Sequence, residues 1–387
     1  MLKELFTRYI SQRGYDVHKP LKPYYVEMGF FYPYGIRLEA SSICQLKCPS
    51  CPTAKGTTSK SSGGRGFLKF DDFKKIIDEN SWIKKIELSN WGEIFLNPDL
   101  LKIMKYAYET GISLTARNGV NFNTVNKEVL EALVQYEFKY LSISIDGASP
   151  ETYSMYRKRG DFNQVIENVF QLNEYKKKYN SEYPRLRWQF VLFEHNKHEL
   201  ETANSIANKL KMEFSIKLSW DKKLAVKVDG RGAIFSNGKI ESTEKLDEGG
   251  FDASRSISNP SNYQLHGTTQ KLISIIQELE HKRNQFLKTI CMQLWLQPQI
   301  NWDGKILGCC VNYWGDYGNV FDFPDLLTAF SNEKIVYARR MSSGQVQKKK
   351  GIPCTTCHQY KKMRREKDWI TLSELINPRK DLTENYA

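Results

Sequence analysis

The 387-residue chain contains no long hydrophobic run. No apolar stretch approaches the ~18 residues that a membrane-spanning helix needs. Residues 1–15 are charged and amphipathic, and they lack the apolar core and the cleavage site of a secretory signal peptide. We therefore expect no membrane partner and a cytoplasmic protein.

The chain has fewer acidic than basic side chains. The chain has 44 Asp and Glu residues against 57 Lys and Arg residues, which gives a formal net charge of +13. A basic surface suits an acidic partner protein, or a substrate that carries a phosphate or carboxylate group. It also suits nucleic acid, but no RNA-binding motif accompanies the charge, so nucleic acid is the less favoured partner.

Cysteines are few, and three of the eight are closely spaced, with no fourth Cys or His beside them. Without an export signal, cysteines indicate metal ligands rather than disulfides. Cys44, Cys48 and Cys51 follow the extended run 36–40 at C-x3-C-x2-C spacing. Such a loop can bind three irons of a [4Fe–4S] cluster and leave the fourth iron without a protein ligand. The alternatives are a zinc site, which normally has four ligands, or buried structural thiols.

This cysteine loop resembles the signature of the radical S-adenosylmethionine (SAM) superfamily. The resemblance implies that SAM chelates the fourth iron and is cleaved reductively to methionine and a 5′-deoxyadenosyl radical, which abstracts a substrate hydrogen. An acidic flavodoxin or ferredoxin, suited to the basic surface, is the expected electron donor. The loop departs from the family at Ser50, where an aromatic residue is common beside the adenine.

Downstream of the loop, apolar and polar residues alternate in a β/α rhythm that predicts an α/β fold with a parallel sheet. It matches the partial (β/α)6 TIM-like barrel of the radical SAM family, whose sites lie at the C-terminal ends of the strands. Asp71, Asn97, Asn126 and Asn196 stand where helix N-caps are expected. The predicted strands are 36–41, 84–89, 112–116, 139–145, 186–193 and 213–219, and the predicted helices are 71–80, 98–110, 126–136, 161–179 and 197–211.

The segment Ser89–Ile94 ends the second predicted strand and resembles the family's Gly-Gly-Glu-Pro motif. Gly92 and Glu93 match, whereas Trp91 replaces the first Gly and Ile94 replaces Pro. The resemblance implies that this segment holds the SAM amino group. The alternative is an ordinary strand-to-helix turn.

The third and fourth predicted strands end in polar residues. Asn118 lies in a segment that resembles the family's Thr-Asn-Gly turn, although an Asn-Gly pair is often only a turn. Ser142, Ser144 and Asp146 alternate and so share one face of the fourth strand. Arg157 is a candidate for the SAM carboxylate, or else a solvated surface charge. The predicted cofactor-binding residues are Gly92, Glu93, Asn118, Ser142, Ser144, Asp146 and Arg157, and no catalytic acid or base is assigned.

The other five cysteines lie near the C-terminus. Cys291-x12-Gly304-x4-Cys309 resembles the opening of the SPASM/twitch auxiliary-cluster module, with 294–300 and 305–309 predicted as a β-hairpin around Gly304. The resemblance implies a second [4Fe–4S] cluster, with Cys310 left over. A structural zinc site with four thiolates is the alternative. The predicted ligands of the second cluster are Cys291, Cys309, Cys354 and Cys357.

These patterns predict five regions along the chain. The lead-in is expected to be too short for a leader-peptide-binding domain. Residues 235–239 carry an Asn-Gly hairpin signal, 269–289 are expected to be one long helix, and 323–339 are expected to be helical. The predicted regions are a lead-in (1–35), the radical SAM barrel (36–220), an insertion and helix (221–287), the twitch-like domain (288–360) and a tail (361–387).

The resemblance to twitch-bearing enzymes favours oxidation of a hydroxyl group on a sugar-like or other small polar substrate, with the second cluster accepting an electron. A ribosomal-peptide maturase that crosslinks, oxidises or epimerises its substrate is the competing enzyme. A basic iron–sulfur or zinc protein that binds RNA is the third hypothesis. The sequence does not identify the substrate.

Overall fold

The computed structural model describes residues 35–219, 221, 223–228, 231–236, 239–242 and 289–371. None of the helices in these ranges is long and apolar enough to cross a membrane. The strands are β1 (Ile36–Leu38), β2 (Lys85–Glu87), β3 (Ser113–Val120), β4 (Tyr140–Ser144), β5 (Arg185–Leu192), β6 (Glu213–Leu218), β7 (Val226–Val228), β8 (Arg231–Ser236), β9 (Lys239–Ser242) and β10 (Gln299–Ile300). The helices are α1 (Phe70–Glu79), α2 (Leu100–Glu109), α3 (Lys127–Gln135), α4 (Pro150–Tyr156), α5 (Phe162–Lys178), α6 (Leu200–Lys209), α7 (Thr289–Leu296), α8 (Leu326–Ala329), α9 (Glu333–Ser342) and α10 (His358–Glu366).

The main sheet confirms the α/β prediction and adds a strand to it. Its order is β10-β1-β2-β3-β4-β5-β6, and every neighbouring pair is parallel. Six of the seven strands were predicted. The seventh, β10, comes from the cysteine-rich C-terminal region and pairs with β1 through Arg37↔Gln299 and Leu38↔Ile300. The sheet is therefore shared between the predicted barrel and the predicted twitch-like domain.

The two faces of this sheet differ sharply in polarity. Apolar side chains such as Leu38, Ile143 and Phe190 face outward and join the main hydrophobic core. The alternate positions face the interior of the open barrel, which we call the lumen, and they are polar. Polar residues of this inner face are Arg37, Glu39, Glu87, Thr115, Ser142, Ser144, Gln189 and Lys217. A polar interior of this kind suits a ligand cavity rather than a packed core.

Helix starts were predicted less well than helix positions. Asn126 is the N-cap of α3, and its side chain accepts a hydrogen bond from the Val129 amide. Asn196 is the N-cap residue of a short 3₁₀ helix, Lys197–Glu199, that leads directly into α6, but its side chain makes no capping hydrogen bond. The other two N-cap predictions are wrong, because α1 begins before Asp71 with Lys69 as its cap and α2 is capped by Asp99 rather than Asn97. Local turns within the loops set these starts, and N-cap preferences alone do not reveal them.

The other differences between prediction and structure concern where individual strands and helices begin and end. Strand β3 continues through the predicted turn at Asn118, because a bulge between Ala116 and Val120 carries the strand onward. Residues 294–296 belong to α7 instead of a hairpin strand, and 323–339 contain two helices, α8 and α9. The hairpin predicted around 235–239 is confirmed by the antiparallel β8–β9 pair. Most of the predicted helix 269–289 lies outside the described residues.

Candidate cluster and cofactor site

The loop that carries Cys44, Cys48 and Cys51 follows β1 at the C-terminal end of the sheet. Cys48 is buried in a small apolar group with Leu46, Tyr156 and Phe193, and the Cys44 and Cys51 side chains pack against the same group. The loop therefore brings the three predicted ligands to one partly enclosed place.

Two side chains donate hydrogen bonds to these thiols. Asn121 Nδ2 lies 3.6 Å from Cys44 Sγ, and Arg157 Nη1 lies 3.9 Å from Cys48 Sγ. Burial raises the pKa of Cys44 to about 12, so the metal-free thiol is neutral at physiological pH. Metal coordination is what would stabilise a thiolate here.

Gly92 and Glu93 join the second strand to the root of the cysteine loop. A Cβ on Gly92 would lie 2.1 Å from the Ser41 carbonyl oxygen, so the close approach of the two chain segments requires glycine. The Glu93 amide donates to the Ile43 carbonyl at 2.8 Å. The Glu93 carboxylate is buried and accepts a hydrogen bond from the Asn121 amide at 2.6 Å, and burial raises its pKa to about 7. The motif thus positions the cysteine loop and the Asn121 side chain above it.

Asp146 and Arg157 form a buried ion pair beside the cysteine loop. Arg157 Nε donates to Asp146 Oδ2 at 2.6 Å, and the Val191 amide donates to Asp146 Oδ1 at 2.8 Å. Burial opposes the Arg157 charge, but Asp146 and then Cys48 hold the pKa of Arg157 well above its ordinary value. Arg157 is therefore a fixed cation at the site rather than a solvated surface charge.

Ser142 and Ser144 lie on the inner face of β4, as the alternation predicted. Ser144 Oγ accepts a hydrogen bond from Gln189 Nε2 at 3.2 Å. Ser142 is fully buried, and its hydroxyl has no hydrogen-bond partner in the described ranges of the chain. A buried hydroxyl without a partner is costly. It fits a ligand group in the lumen, and the donor set around the thiols fits a thiolate-bound cluster.

Asn118 lies apart from this group. Its side chain is exposed and donates to Asn90 Oδ1 at 2.9 Å, while its backbone amide donates to Ser89 Oγ at 3.1 Å. These contacts connect the C-terminal ends of β2 and β3. Of the seven predicted cofactor-binding residues, Asn118 is the one that faces solvent most openly.

A second group of cysteines lies near the C-terminus. Cys309, Cys354 and Cys357 line one cavity, together with Leu294 and the buried phenol of Tyr317. The Tyr317 hydroxyl and Cys354 Sγ are 3.0 Å apart. Three of the four predicted ligands therefore converge, although they are far apart in sequence.

Cys291 and Cys310 are the remaining C-terminal cysteines. The backbone of Cys291 lies in α7, one turn before the cavity-lining Leu294, and its side chain lies outside the described part of the structure. Cys310 does not line the cavity, and its amide donates to Gln293 Oε1 at 2.9 Å. Among the described residues, no three Cys, His, Asp or Glu side chains are grouped tightly enough to hold a single metal ion.

Sequence reasoning missed Glu39 and Asn121. Glu39 is buried on the inner face of β1, and its Oε1 accepts hydrogen bonds from the amides of Trp91 and Gly92 at 2.6 and 3.2 Å. The alternation that identified Ser142 and Ser144 also marks Glu39, two residues after Arg37. No local pattern marks Asn121, because its contact with Cys44 is made in three dimensions.

A protein-family model and several known proteins match the predicted barrel region in sequence. The family model described as the radical SAM superfamily matches residues 38–183. The AdoMet-dependent heme synthase of Methanosarcina barkeri is 33% identical over 140 residues, which is 35% of this chain and 38% of that protein. The mycofactocin maturase MftC of Mycobacterium tuberculosis is 27% identical over 143 residues, 36% of this chain and 34% of that protein. Each match thus spans well under half of the relative's length.

Solved structures share the fold over a longer range. Streptococcus suis SuiB bound to S-adenosylmethionine superposes with a TM-score of 0.54 over 87% of this chain and 72% of that one, at 13% identity. The family model matches the segment that carries the cysteine loop and the inner face of β4, and the radical SAM family uses a [4Fe–4S] cluster and SAM. Residues 38–183 therefore match the radical SAM superfamily in sequence, and the described part of the chain shares the fold of SuiB.

Proposed function

We propose that this protein is a radical SAM oxidoreductase that oxidises a hydroxyl group of a sugar-like or other small polar substrate. Cys44, Cys48 and Cys51 hold the SAM-binding [4Fe–4S] cluster, and Cys291, Cys309, Cys354 and Cys357 hold an auxiliary [4Fe–4S] cluster that accepts an electron. When bound, the first cluster and SAM supply a 5′-deoxyadenosyl radical that removes a hydrogen atom from the substrate.

The carrying observation is that one lumen-facing residue, Lys217, interacts electrostatically with groups beside both cysteine sites. Lys217 on β6 faces the lumen and lies within the electrostatic range of Asp146, beside the first site, and of Cys310, the neighbour of Cys309. A substrate in the lumen would lie between the two sites. That arrangement supports a reaction in which abstraction of a hydrogen atom on one side would be followed by loss of a proton from the substrate radical and transfer of its electron to the auxiliary cluster on the other side.

The chain's own residues would orient the reactants. Ser142 has a free hydroxyl for a ligand in the lumen, and Gly92, Glu93, Ser144 and Asp146 are proposed to line or support the SAM site. Arg157 holds Asp146 in place and adds positive charge beside the Cys48 thiolate. Asn118 is proposed to act at the rim, where it faces solvent.

We also propose that an acidic electron-transfer protein reduces the first cluster. An acidic flavodoxin or ferredoxin suits the net charge of +13, and a reducing cytoplasm would keep the cysteines available as ligands.

The test of the electron-acceptor role uses a variant that spares the first cluster. Cys354→Ala with Cys357→Ala should continue to form 5′-deoxyadenosine, while the ratio of oxidised product to 5′-deoxyadenosine falls steeply. Candidate polyols and sugar phosphates are screened anaerobically by mass spectrometry. An unchanged ratio in the folded variant would contradict the electron-acceptor role and favour a structural site or a redox-neutral reaction.

Peptide maturation is the second candidate. It is supported by the likeness to the mycofactocin maturase MftC and by the fold shared with SuiB, which has been solved bound to the precursor peptide SuiA. The same mass-spectrometric screen separates the two candidates. If the reconstituted chain changes the mass of a short peptide encoded beside this gene, that result would favour peptide maturation over small-molecule oxidation.

A further inference from the structure

Lys217 and two arginines give the lumen positive charge, and no described residue forms an ion pair with Lys217. Lys217 alternates with Phe214, Ile216 and Leu218, whose side chains pack against the outer core, so its own side chain points into the lumen. That side chain reaches solvent inside the open barrel and makes no hydrogen bond or ion pair with any described residue. Within the described part of the chain, the Lys217 ammonium is thus an unpaired cation that faces the lumen.

Two arginines lie close to this lysine. Arg187, on the inner face of β5, pairs with Glu213 at 3.0 Å, but its Nε is buried and has no hydrogen-bond partner among the residues that the structure describes. Arg37, on β1, is buried and donates to neutral oxygens, those of the Gln299 side chain at 3.1 Å and of the Ser89 backbone at 3.3 Å. Dehydration and then the charge of Arg187 lower the pKa of Lys217 to about 8; Cys310 and Asp146 oppose this, and Arg37 adds a smaller lowering effect. Arg187 and Arg37 therefore each add positive potential at Lys217.

The carboxylates that face the lumen are already engaged. Asp146 pairs with Arg157, and Glu87 accepts hydrogen bonds from the Thr115 hydroxyl and the Arg117 amide. Glu213 is bound to Arg187. Burial raises the pKa of Glu39 to about 7, so this carboxyl carries only part of a negative charge at neutral pH. None of these carboxylates forms an ion pair with Lys217.

The neighbouring inner-face positions offer hydrogen-bond donors for a bound anion. In the sheet register, Ser142 lies beside Arg187, and Val191 lies beside Lys217. Among the described residues, the Ser142 hydroxyl and Arg187 Nε are both buried donors without a partner. Lys217 lies two inner-face positions further along the sheet, within the electrostatic range of Arg187. These two donors and one ammonium form the beginnings of a site for an oxyanion.

We propose that Lys217, Arg187 and Ser142 form an anion-binding subsite in the lumen that takes a carboxylate or phosphate group of the substrate. The subsite rests on the proposed function, and it narrows the substrate to an acidic or phosphorylated small molecule. The SAM carboxylate has the same chemistry, so the experiment must separate these two sources.

The first measurement is the dissociation constant of inorganic phosphate and of acetate for the anaerobically reconstituted chain, by isothermal titration. Lys217→Met should weaken binding of the better anion about tenfold, and Lys217→Arg should restore most of it. Lys102→Met, which changes an exposed lysine on α2, is the matched control and should bind like the wild type. Equal affinity in Lys217→Met and Lys102→Met, or no binding of either anion by the wild type, would overturn the subsite.

The second measurement identifies the source of the anion. The SAM dissociation constant should be the same in Lys217→Met, Lys217→Arg and Lys102→Met. If Lys217→Met weakens SAM binding together with phosphate binding, the group bound is the SAM carboxylate and the substrate subsite is overturned. Since both titrations need no turnover, their failure is distinct from failure of the proposed oxidation, which is judged by product formation.

A third measurement on the wild type avoids any effect of substitution on folding. Amine-reactive labelling near pH 8, followed by peptide mass spectrometry, should modify Lys217 faster than Lys102, because more of Lys217 is in the neutral form. The better anion should protect Lys217 and leave Lys102 unprotected. Equal labelling of Lys217 with and without the anion would overturn the proposal.

Discussion

Asp146 and Arg157 form an enclosed ion pair directly beside the cysteine loop, with Arg157 Nε 2.6 Å from Asp146 Oδ2. The Asp146 side chain is fully buried, and that of Arg157 is 15% exposed. The same guanidinium reaches the Cys48 thiol. The end of β4, helix α4 and the cysteine loop are therefore joined through one arginine.

Breaking this pair should destabilise the fold. Asp146→Asn leaves the Arg157 charge buried without its partner, and such changes cost about 3–5 kcal/mol. Urea unfolding of the metal-free chain measures the loss, and Asp146→Asn with Arg157→Met should recover part of it. The control is Glu109→Gln, which breaks an exposed pair with Lys105 and should cost less than about 1 kcal/mol. Equal losses in Asp146→Asn and Glu109→Gln would show that the pair is not structural.

Cys309 and Cys310 are neighbours in sequence that should differ in metal binding. Cys309 lines the cavity with Cys354 and Cys357, whereas Cys310 does not. Cys309→Ala should therefore lower the iron content towards about half after anaerobic reconstitution, and Cys310→Ala should leave it unchanged. Iron analysis with electron paramagnetic resonance measures this. If Cys310→Ala loses iron and Cys309→Ala does not, then Cys310 rather than Cys309 is the ligand and the prediction is contradicted.

The buried Glu39 should make stability depend on pH. Burial raises its folded-state pKa from 4.5 to about 7, so its stabilising contribution is present below about pH 4.5 and is lost as the pH rises through about 7. Glu39→Gln removes this dependence and should stabilise the SAM-free chain by up to about 3 kcal/mol near pH 8, with little effect near pH 5. Urea unfolding at both pH values tests it. Burial also raises the pKa of Glu93 to about 7, and Glu93 is unchanged in this variant. The pH dependence of stability should therefore be reduced and not abolished.

An equal change in stability at both pH values would contradict this origin of the pH effect. A matched control is Glu128→Gln in the first turn of α3, where the side chain is exposed. That change should leave the pH profile unaltered.

Sequence reasoning predicted what depends on local pattern. Alternation placed Ser142, Ser144 and Asp146 on one face of β4, and the spacing of Cys44, Cys48 and Cys51 marked one loop. Both patterns follow from strand geometry and loop length over a few residues, so they can be recognised in a single sequence.

What the sequence did not reveal depends on contacts between distant segments. Strand β10 is only two residues long, and it is a strand because it pairs with β1 across more than 250 residues of chain. The Asn121–Cys44 contact likewise requires β3 to continue past Asn118 through its bulge. Tertiary pairing overrides local preference in both cases.

The central claim is that Cys44, Cys48 and Cys51 support reductive cleavage of SAM. The direct test incubates the anaerobically reconstituted chain with SAM and a strong reductant and measures 5′-deoxyadenosine by liquid chromatography. The wild type should form it, and the variant with all three cysteines changed to Ala should form none while losing about half of the bound iron. Retained formation of 5′-deoxyadenosine in the triple variant, or none from a wild-type chain with its full iron content, would contradict the account.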